Sequence, residues 1–377
     1  GADAALLRAL AEGVGAGAYR FSAFRTRDED APPELRELGL AGRGVDRAAA
    51  ERAERTVDAV RAARDLVNAP ANHLTPSRLA ERARELADAI PELECSVLDE
   101  RGLRRLGARA LLAVAQGSEQ APRMIVLRYR PRGARHRGEL LGLVGKAMTF
   151  DSGGISIKPS AHLEEMKMDM GGGAAVIEGA GLVAAMGLPV PFLAVVPSAE
   201  NMPSGRALKP GDVITAMNGT TVEVINTDAE GRLILADALT YAVRQGATRL
   251  LDLATLTGAI VVALGGVYAG LFGSDPEWTE LVRGAAEASG DLAWPMPMHP
   301  GYDELIRSKV ADLANSSNKR EAGPVYAAQF LREFTAGTPW CHVDVAGTAM
   351  REGAGTGFGV RLIAEIASRM AAGADGG

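Results

Sequence analysis

Apolar segments of two kinds alternate along most of the chain, and this alternation restricts the fold more than any other feature. Short runs rich in Leu, Val and Ile have the composition of buried strands, and they span 94–100, 123–130, 139–146, 189–200, 220–226, 248–255 and 342–347. Helical spacing is found at 171–187, 230–246 and 357–373. We therefore predict an α/β fold with a central mixed sheet flanked by helices. In such sheets, ligands bind at loops beyond the strand ends.

The first 67 residues differ from the rest. A short N-terminal helix is followed by a small predicted strand at 19–24 and by a polar connection that contains Pro and Gly. Helical spacing then runs over 45–66. We place a domain boundary near Asn68, which makes 1–67 one unit and 68–377 the other.

Composition excludes several classes of protein. The net charge is −6, from 41 basic and 47 acidic residues, so we expect no nucleic-acid partner. The two cysteines, Cys95 and Cys341, imply no disulfide framework and fit a reducing, cytoplasmic location. No apolar run reaches the ~18 residues of a membrane span, and no membrane partner is expected. The closest run, 256–273, contains glycines that favour a buried helix and turn.

The usual histidine and serine motifs of hydrolases are missing from the sequence. The five histidines have no HExxH or other ligand spacing, and there is no Gly-x-Ser-x-Gly elbow. Any metal ion would therefore be held mostly by oxygen atoms.

Acidic side chains instead recur at predicted strand ends and helix starts. Asp151 and Asp169 stand beside glycines, and Asp228 and Glu230 are two residues apart on extended backbone, so that their side chains project in the same direction. Each acid alone is more often a helix cap. Together they would repel one another without cations, which favours a carboxylate-rich site for two divalent metal ions.

Two basic residues near these acids allow two interpretations each. Lys158 is either a surface lysine or, beside a metal site, a group that draws electron density from a carbonyl oxygen. Arg232 either pairs with Asp237, at a poor helical spacing of five, or binds an anion. Its position beside Glu230 suits anion binding better.

Several segments resemble the leucyl aminopeptidase (cytosol aminopeptidase) family of two-metal exopeptidases. The signature NTDAEGRL at 226–233 is accompanied, in the order of the family, by blocks at 144–159, 166–176, 200–214, 252–265 and 342–350. The resemblance extends from about residue 69 to the C-terminus. It implies an aminopeptidase-type catalytic domain over 68–377, preceded in 1–67 by the remnant of a truncated N-terminal domain and its linking helix.

The resemblance also implies roles for individual residues. The metal ligands are Lys146, Asp151, Asp169, Asp228 and Glu230. The catalytic residues are Lys158, which would stabilise the oxyanion, and Arg232, which would hold a bicarbonate ion. The pocket for the first side chain of the substrate is formed by Met166, Thr255, Gly258, Ala346 and Ala349.

From these roles, the expected activity is removal of N-terminal, leucine-like residues from peptides by attack of a metal-activated water. Two divalent ions per subunit are expected, with Zn²⁺ or Mn²⁺ favoured over Mg²⁺ or Co²⁺. The expected partners are peptides with a free N-terminus and further copies of the chain in a homohexamer.

Two departures from the family pattern are visible, and other functions compete. Ala147 replaces a usual glycine, and Met350 stands where tryptophan is common. A metal-dependent phosphoesterase would also use carboxylates, lysine and arginine, and a non-enzymatic scaffold would retain a vestigial site. The glycines at 353–359 lack the strand and the acid of a nucleotide-binding loop.

Overall fold

The structure, a computed structural model, describes residues 2–27, 35, 37–39, 47–132 and 138–374. The helices are α1 Ala2–Gly17, α2 Arg47–Asn68, α3 Pro76–Ala89, α4 Glu100–Leu106, α5 Arg109–Ala115, α6 Gly171–Ala185, α7 Gly231–Arg244, α8 Gly258–Leu264, α9 Pro276–Ser289, α10 Gly323–Arg332 and α11 Val360–Ala374. Short 3-10 helices span Leu163–Met168 and Pro300–Ile306. The strands are β1 Leu93–Leu98, β2 Arg123–Tyr129, β3 Leu141–Gly145, β4 Ala147–Asp151, β5 Phe192–Asn201, β6 Val213–Thr215, β7 Thr221–Glu223, β8 Arg249–Ala254, β9 Ala269–Gly273, β10 Ala293–Pro295, β11 Leu313–Ala314, β12 Trp340–Asp344, β13 Met350–Arg351 and β14 Ala354–Gly355.

A nine-stranded mixed sheet forms the centre of the molecule, in the order β1-β2-β5-β3-β8-β12-β9-β10, with β4 also paired to β5. The inner strands β5, β3, β8 and β12 are parallel to their neighbours in this group. Antiparallel pairing occurs toward the sides, in β1 with β2, β2 with β5 and β12 with β9. The α/β fold with a central mixed sheet is therefore confirmed.

Helices cover both faces of this sheet because the inner strands are apolar on both sides. In β5, Phe192 and Ala194 face a core shared with α2, α3, α6, α9 and α11. Leu193 and Val195 face the opposite core, which contains side chains of α5, α7 and α10. Strands buried on both faces read as continuous apolar runs in the sequence, which is why they could be recognised there.

Helix ends are fixed by side chains that bond free backbone N–H groups. Thr75 caps α3, and Pro76 stands at its first position. The buried carboxylate of Asp291 accepts from the N–H groups of Gly359 and Leu362, and so holds the start of α11.

The strand predicted at 19–24 is wrong. These residues form turns and coil, and their aromatic side chains pack against helices and loops instead of a sheet. The hydroxyl of Tyr19 donates to Asp65 of α2 at 2.6 Å, and the ring of Phe24 lies 4.4 Å from that of His73. The polar connection predicted after residue 24 lies mostly outside the described residues.

Two further segments differ from the prediction. The run 256–273 forms α8, but its last residues form β9 of the large sheet, and α8 is mostly exposed, with only Ile260 buried. The strand predicted at 220–226 is only β7, which belongs to a small sheet with β6 and β11. No helix among the described residues is both long and apolar enough to span a membrane.

The parallel direction of β3, β5, β8 and β12 brings their carboxyl ends to one edge of the sheet. Lys146, Thr255 and Val345 directly follow three of these strands, and Asn201 ends β5. Polar side chains distant in sequence therefore meet at this edge, where ligands bind in open α/β sheets.

Candidate metal centre and active site

The acids that the sequence analysis singled out lie at this edge of the sheet. Lys146 leads from β3 into β4, and Asp151 is the last residue of β4. Asp169 stands two residues before α6, and Asp228 and Glu230 lie in the turn that leads into α7. The local reason is similar in each case, since each residue lies at the end of a strand or in the short turn before a helix.

Three carboxylates converge here. One oxygen from each of Asp151, Asp228 and Glu230 lies within 4.8 Å of the other two. Asp151 and Glu230 are only 2% and 1% exposed, and Asp228 is partly buried. Negative charges this close repel one another in a buried site unless cations lie among them.

Two lysines supply positive charge to the cluster. Lys146 Nζ lies 2.6 Å from Asp169 Oδ1 and 2.9 Å from Glu230 Oε1. Lys158 Nζ lies 2.9 Å from Asp151 Oδ2 and 2.5 Å from Asp228 Oδ1. Lys158 is therefore not a free surface lysine, since its ammonium contacts two of the converging carboxylates.

Asp169 joins the cluster through Lys146. The same oxygen of Asp169 that contacts this lysine also accepts from Thr255 Oγ1 at 2.8 Å. Lys146 Nζ donates in addition to the carbonyl oxygen of Thr255 at 2.9 Å. Thr255 thus orients both the lysine and the carboxylate from the end of β8.

Burial and mutual repulsion disfavour the charged form of the acids. Burial raises the pKa of Asp169 well above its ordinary value, with Glu230 and Asp151 adding to the rise and Lys146 opposing it. Burial, together with the charges of Asp151 and Glu230, raises the pKa of Asp228 to about 6. Cations bound among these acids would relieve the repulsion and stabilise the charged carboxylates.

The two lysines, in contrast, are stabilised in their charged form. Burial alone would lower the pKa of Lys146, but Asp169, Glu230 and Asp151 outweigh burial and raise it above its ordinary value. The pKa of Lys158 is raised in the same way, against burial, chiefly by Asp151 and Glu230. With protein charges alone, both lysines therefore carry a proton.

Several carboxylate oxygens of the cluster lack hydrogen-bond partners among the described residues. Asp169 Oδ2 and both oxygens of Glu230 are buried and accept no hydrogen bond from the described residues. The contact of Glu230 with Lys146 is a close charge pair without hydrogen-bond geometry. Buried acceptors without partners are costly. Divalent cations bind such oxygens, so the residues present fit metal ions.

Arg232, in the first turn of α7, is buried and forms no ion pair with a carboxylate among the described residues. Its NH1 donates to the carbonyl oxygen of Asn315 at 2.8 Å, and its guanidinium carbon lies 5.3 Å from the ring centre of Tyr326. Its Nε has no partner there. Burial lowers the pKa of Arg232, but a guanidinium stays charged in proteins.

The alternative partner for Arg232 is excluded by the position of Asp237. That carboxylate is buried and accepts from the backbone N–H groups of Leu111 and Met217 at 2.9 and 2.7 Å. A buried guanidinium without a carboxylate partner is suited to bind an anion.

The residues predicted to line a substrate pocket are only partly brought together. Ala349 and Thr255 both adjoin the start of α6, since a Cβ on Gly171 would lie 3.1 Å from Ala349 Cβ and 3.6 Å from Thr255 Cγ2. The carbonyl of Met166 accepts from the N–H of Asp169. The described contacts do not bring Gly258 or Ala346 to this wall, and their place in a pocket stays a prediction.

Two buried asparagines at the site were not singled out from the sequence. Asn201 Nδ2 donates to Asp151 Oδ1 at 2.8 Å and to the carbonyl of Thr227 at 2.9 Å, and so joins two acid-bearing loops. Asn315 bonds to the segment before Glu230. No local spacing marks either residue, although Asn201 lies within a block that resembles the family.

Comparison with known protein families places most of the chain in one group. The model of the cytosol aminopeptidase family, catalytic domain, matches residues 61–364. This range contains all the acids, lysines and the arginine described above.

Curated relatives carry matching names. The probable cytosol aminopeptidase of Solibacter usitatus (strain Ellin6076) is 52% identical over 315 residues, which cover 81% of this chain and 64% of that protein. The probable cytosol aminopeptidases of Syntrophotalea carbinolica (strain DSM 2380 / NBRC 103641 / GraBd1) and Alkaliphilus oremlandii (strain OhILAs) are 47% and 43% identical. Both alignments cover 96% of this chain and 74% of the relative. The chain thus spans about two thirds to three quarters of these relatives.

A solved structure shares the fold. The bottromycin maturation enzyme BotP in complex with Mn superposes with a TM-score of 0.90 at 39% sequence identity, over 97% of this chain and 79% of that one. A second structure of BotP superposes with a TM-score of 0.88.

Proposed function

The chain belongs to the cytosol aminopeptidase family, and from this premise we propose that it releases N-terminal residues, preferably leucine-like ones, from peptides by metal-dependent hydrolysis. The observation that carries the proposal is the convergence of Asp151, Asp228 and Glu230, with Lys158 in contact with two of them. A cluster with this charge and burial suits metal ions better than any purely structural task.

We propose that two divalent ions per subunit bind to Lys146, Asp151, Asp169, Asp228 and Glu230. Carboxylate oxygens with one amine suit Zn²⁺ and Mn²⁺, with Mg²⁺ and Co²⁺ as further candidates. The Mn in the BotP complex supports manganese. Lys146 must lose its proton to ligate a metal, and the charge of a dication beside it favours that loss.

The chemistry divides between the ions and the protein. When bound, the ions supply Lewis-acid polarisation of the scissile carbonyl and lower the pKa of a water molecule. Lys158 keeps its proton beside Asp151 and Asp228, and it would donate a hydrogen bond to the carbonyl oxygen as negative charge develops there. Arg232 would hold an anion at the site, for which bicarbonate is the candidate.

The substrate would bind by its free N-terminal amine and its first side chain. With the carboxylates neutralised by the ions, the unprotonated amine would be recognised as a nitrogen ligand of the metal site. The methyl groups of Thr255 and Ala349 would supply an apolar wall at the start of α6, and Met166, Gly258 and Ala346 are proposed to complete the pocket. Such a pocket favours leucine-like residues, although one methylene is worth only about 1–3 kcal/mol.

Assembly into a homohexamer and a cytoplasmic location are also proposed. The name of the curated relatives, cytosol aminopeptidase, supports the location. Exposed apolar side chains on and near α8, at Val261, Val262, Val267 and Trp294, support burial by another copy of the chain. Light scattering after size-exclusion chromatography would measure the mass of the assembly.

The activity can be tested by removing and restoring metal. The protein is treated with a chelator and then given Mn²⁺ or Zn²⁺, and hydrolysis of leucine p-nitroanilide is measured at each stage. We expect activity to disappear and return, and to be absent in Asp228→Ala. Hydrolysis of p-nitrophenyl phosphate in place of the leucyl substrate would indicate a phosphoesterase. Leucyl hydrolysis that survives both chelation and Asp228→Ala would falsify the two-metal proposal.

A further inference from the structure

Asn315 is a fully buried polar residue next to the site, and none of the roles proposed above involves it. It follows β11, and its partners lie in the segment 225–229, about 90 residues earlier in the chain. This segment contains Asp228 and leads directly to Glu230.

The side chain of Asn315 forms its four hydrogen bonds with that segment. Its Oδ1 accepts from the N–H groups of Ile225 at 2.8 Å and Asn226 at 3.3 Å. Its Nδ2 donates to the carbonyl oxygens of Asn226 at 2.7 Å and Ala229 at 3.2 Å. One amide therefore bonds to the backbone on both sides of Asp228.

The backbone of Asn315 extends the connection to the arginine. Its carbonyl oxygen accepts from Arg232 NH1 at 2.8 Å, and its N–H donates to the carbonyl of Glu223 at 2.9 Å. A single residue thus connects β7, the acid-bearing turn and the buried guanidinium.

The segment around Asp228 depends on such outside bonds because it belongs to neither a helix nor a strand. On one side, Thr227 bonds to Gly153 through its hydroxyl and to the hydroxyl of Ser156 through its N–H. On the other side, the bonds come from Asn315. Loss of the amide would leave the turn held from one side only.

An asparagine that only satisfied its own turn would bond to residues next to it in sequence. The side-chain bonds of Asn315 go instead to a distant segment, and they fix the backbone from which Asp228 and Glu230 project. We propose that Asn315 is a positioning residue for these two carboxylates and for Arg232. The inference rests on the proposed function, since it assigns the carboxylates to metal ions.

Two variants distinguish the effect of losing the hydrogen bonds from the effect of changing the side-chain shape. Asn315→Ala removes all four side-chain bonds. Asn315→Asp keeps the shape and the acceptor for Ile225 and Asn226, but it turns a carboxylate oxygen toward the carbonyls of Asn226 and Ala229. Asp291→Ala is the control. It removes another buried side chain, one that bonds to the N–H groups of Gly359 and Leu362 and to the guanidinium of Arg361 at the start of α11, away from the acids.

The measurements are the dissociation constant for Mn²⁺ by calorimetry on the metal-free protein, kcat for leucine p-nitroanilide as Mn²⁺ is raised, and the unfolding temperature. We expect both Asn315 variants to weaken Mn²⁺ binding by about 10–100-fold, as loss of outer-sphere support of metal ligands does. Part of the lost kcat should return at high Mn²⁺. Asp291→Ala should lower the unfolding temperature and leave Mn²⁺ binding unchanged.

The outcomes distinguish the inference from the function on which it rests. If the wild type binds Mn²⁺ and cleaves the leucyl substrate, but both Asn315 variants bind Mn²⁺ as the wild type does, the positioning role is wrong and the function stands. If weakened binding appears equally in Asp291→Ala, the effect is general destabilisation and the inference also fails. If the wild type neither binds Mn²⁺ nor cleaves the substrate, both proposals fall. Should Asn315→Ala not fold, the shape-preserving Asn315→Asp decides.

Discussion

Gly231 lies directly against the side chain of Lys146. A Cβ on Gly231 would be 2.5 Å from Lys146 Cε and 2.6 Å from its Nζ. The lysine cannot move freely, because it is buried and its ammonium contacts Asp169 and Glu230. The glycine at the start of α7 is therefore required by the space that the lysine occupies, and not by a special backbone angle.

Replacing this glycine should damage the site more than the fold. In Gly231→Ala, we expect the added methyl group to displace Lys146, weakening Mn²⁺ binding and lowering kcat. Stability should fall by about 1–3 kcal/mol, because overpacking beside the buried lysine outweighs the helix preference of alanine. Calorimetry, steady-state kinetics and thermal unfolding measure the three quantities. Gly205→Ala, where a Cβ meets nothing within 4 Å, is the control. Unchanged Mn²⁺ affinity in Gly231→Ala would show that Lys146 has room to shift.

How much could be predicted from the sequence depended on whether the signal was local. The inner strands could be recognised because burial on both faces makes them continuously apolar. The predicted strand at 19–24 failed because alternating aromatics do not reveal a pairing partner, and Tyr19 and Phe24 pack against Asp65 and His73 instead. Residues 269–273 became β9 because β12 offered an antiparallel partner, which no short apolar run can indicate.

The same distinction holds at the site. Asp151, Asp228 and Glu230 could be identified because each lies where a strand ends or a helix begins, and strand ends share one edge. Asn201 and Asn315 could not, because their partners lie 26 to 90 residues away and depend on how the loops fold together. Their importance is visible only in the hydrogen bonds.

Lys158 should contribute to catalysis and not to substrate affinity. Its ammonium contacts Asp151 and Asp228, and it is proposed to meet the carbonyl oxygen as charge develops. We expect Lys158→Ala to lower kcat by about 10²–10³-fold, as loss of an oxyanion donor does, with a much smaller change in KM. Lys209→Ala, which removes an exposed lysine paired with Asp212, is the control. A Lys158→Ala enzyme with normal kcat would exclude contact with the reacting atoms.

Removing the Glu230 carboxylate should reduce the gain in stability that Mn²⁺ binding gives. Without metal, Glu230→Gln should unfold at the same or a higher temperature than the wild type, because one of several mutually repelling charges is gone. With Mn²⁺ at 100 times its dissociation constant, the wild type should gain about 2.7 kcal/mol and the variant much less. Thermal and chemical unfolding with and without Mn²⁺ measure this, with Glu94→Gln, on an exposed position of β1, as control. An equal gain in Glu230→Gln would contradict its assignment as a ligand.

A buried charge pair behind the site should make stability depend on pH. His342 Nδ1 lies 2.6 Å from Asp252 Oδ1, the other oxygen accepts from Trp340 Nε1, and all three side chains are buried. Burial alone would lower the pKa of His342, but Asp252 and, less strongly, Asp344 outweigh it and raise the pKa, against a small opposing effect of Arg232.

The sign of the pH effect follows from this raised pKa. The unfolded chain releases the proton near pH 6.5, whereas the folded protein keeps it to a higher pH. The stabilisation is therefore complete below about pH 6.5 and is lost as pH rises through the folded pKa. In His342→Gln, the decline in unfolding free energy above pH 6.5 should be smaller. Below pH 6.5 the variant should be less stable than the wild type by about 3–5 kcal/mol, because Asp252 loses its cation, and this difference should narrow as pH rises. Urea unfolding across this pH range measures both effects. The exposed His162, replaced in His162→Gln, should leave the decline as it is in the wild type. A His342→Gln protein with the full wild-type decline would mean that His342 is neutral in the folded protein.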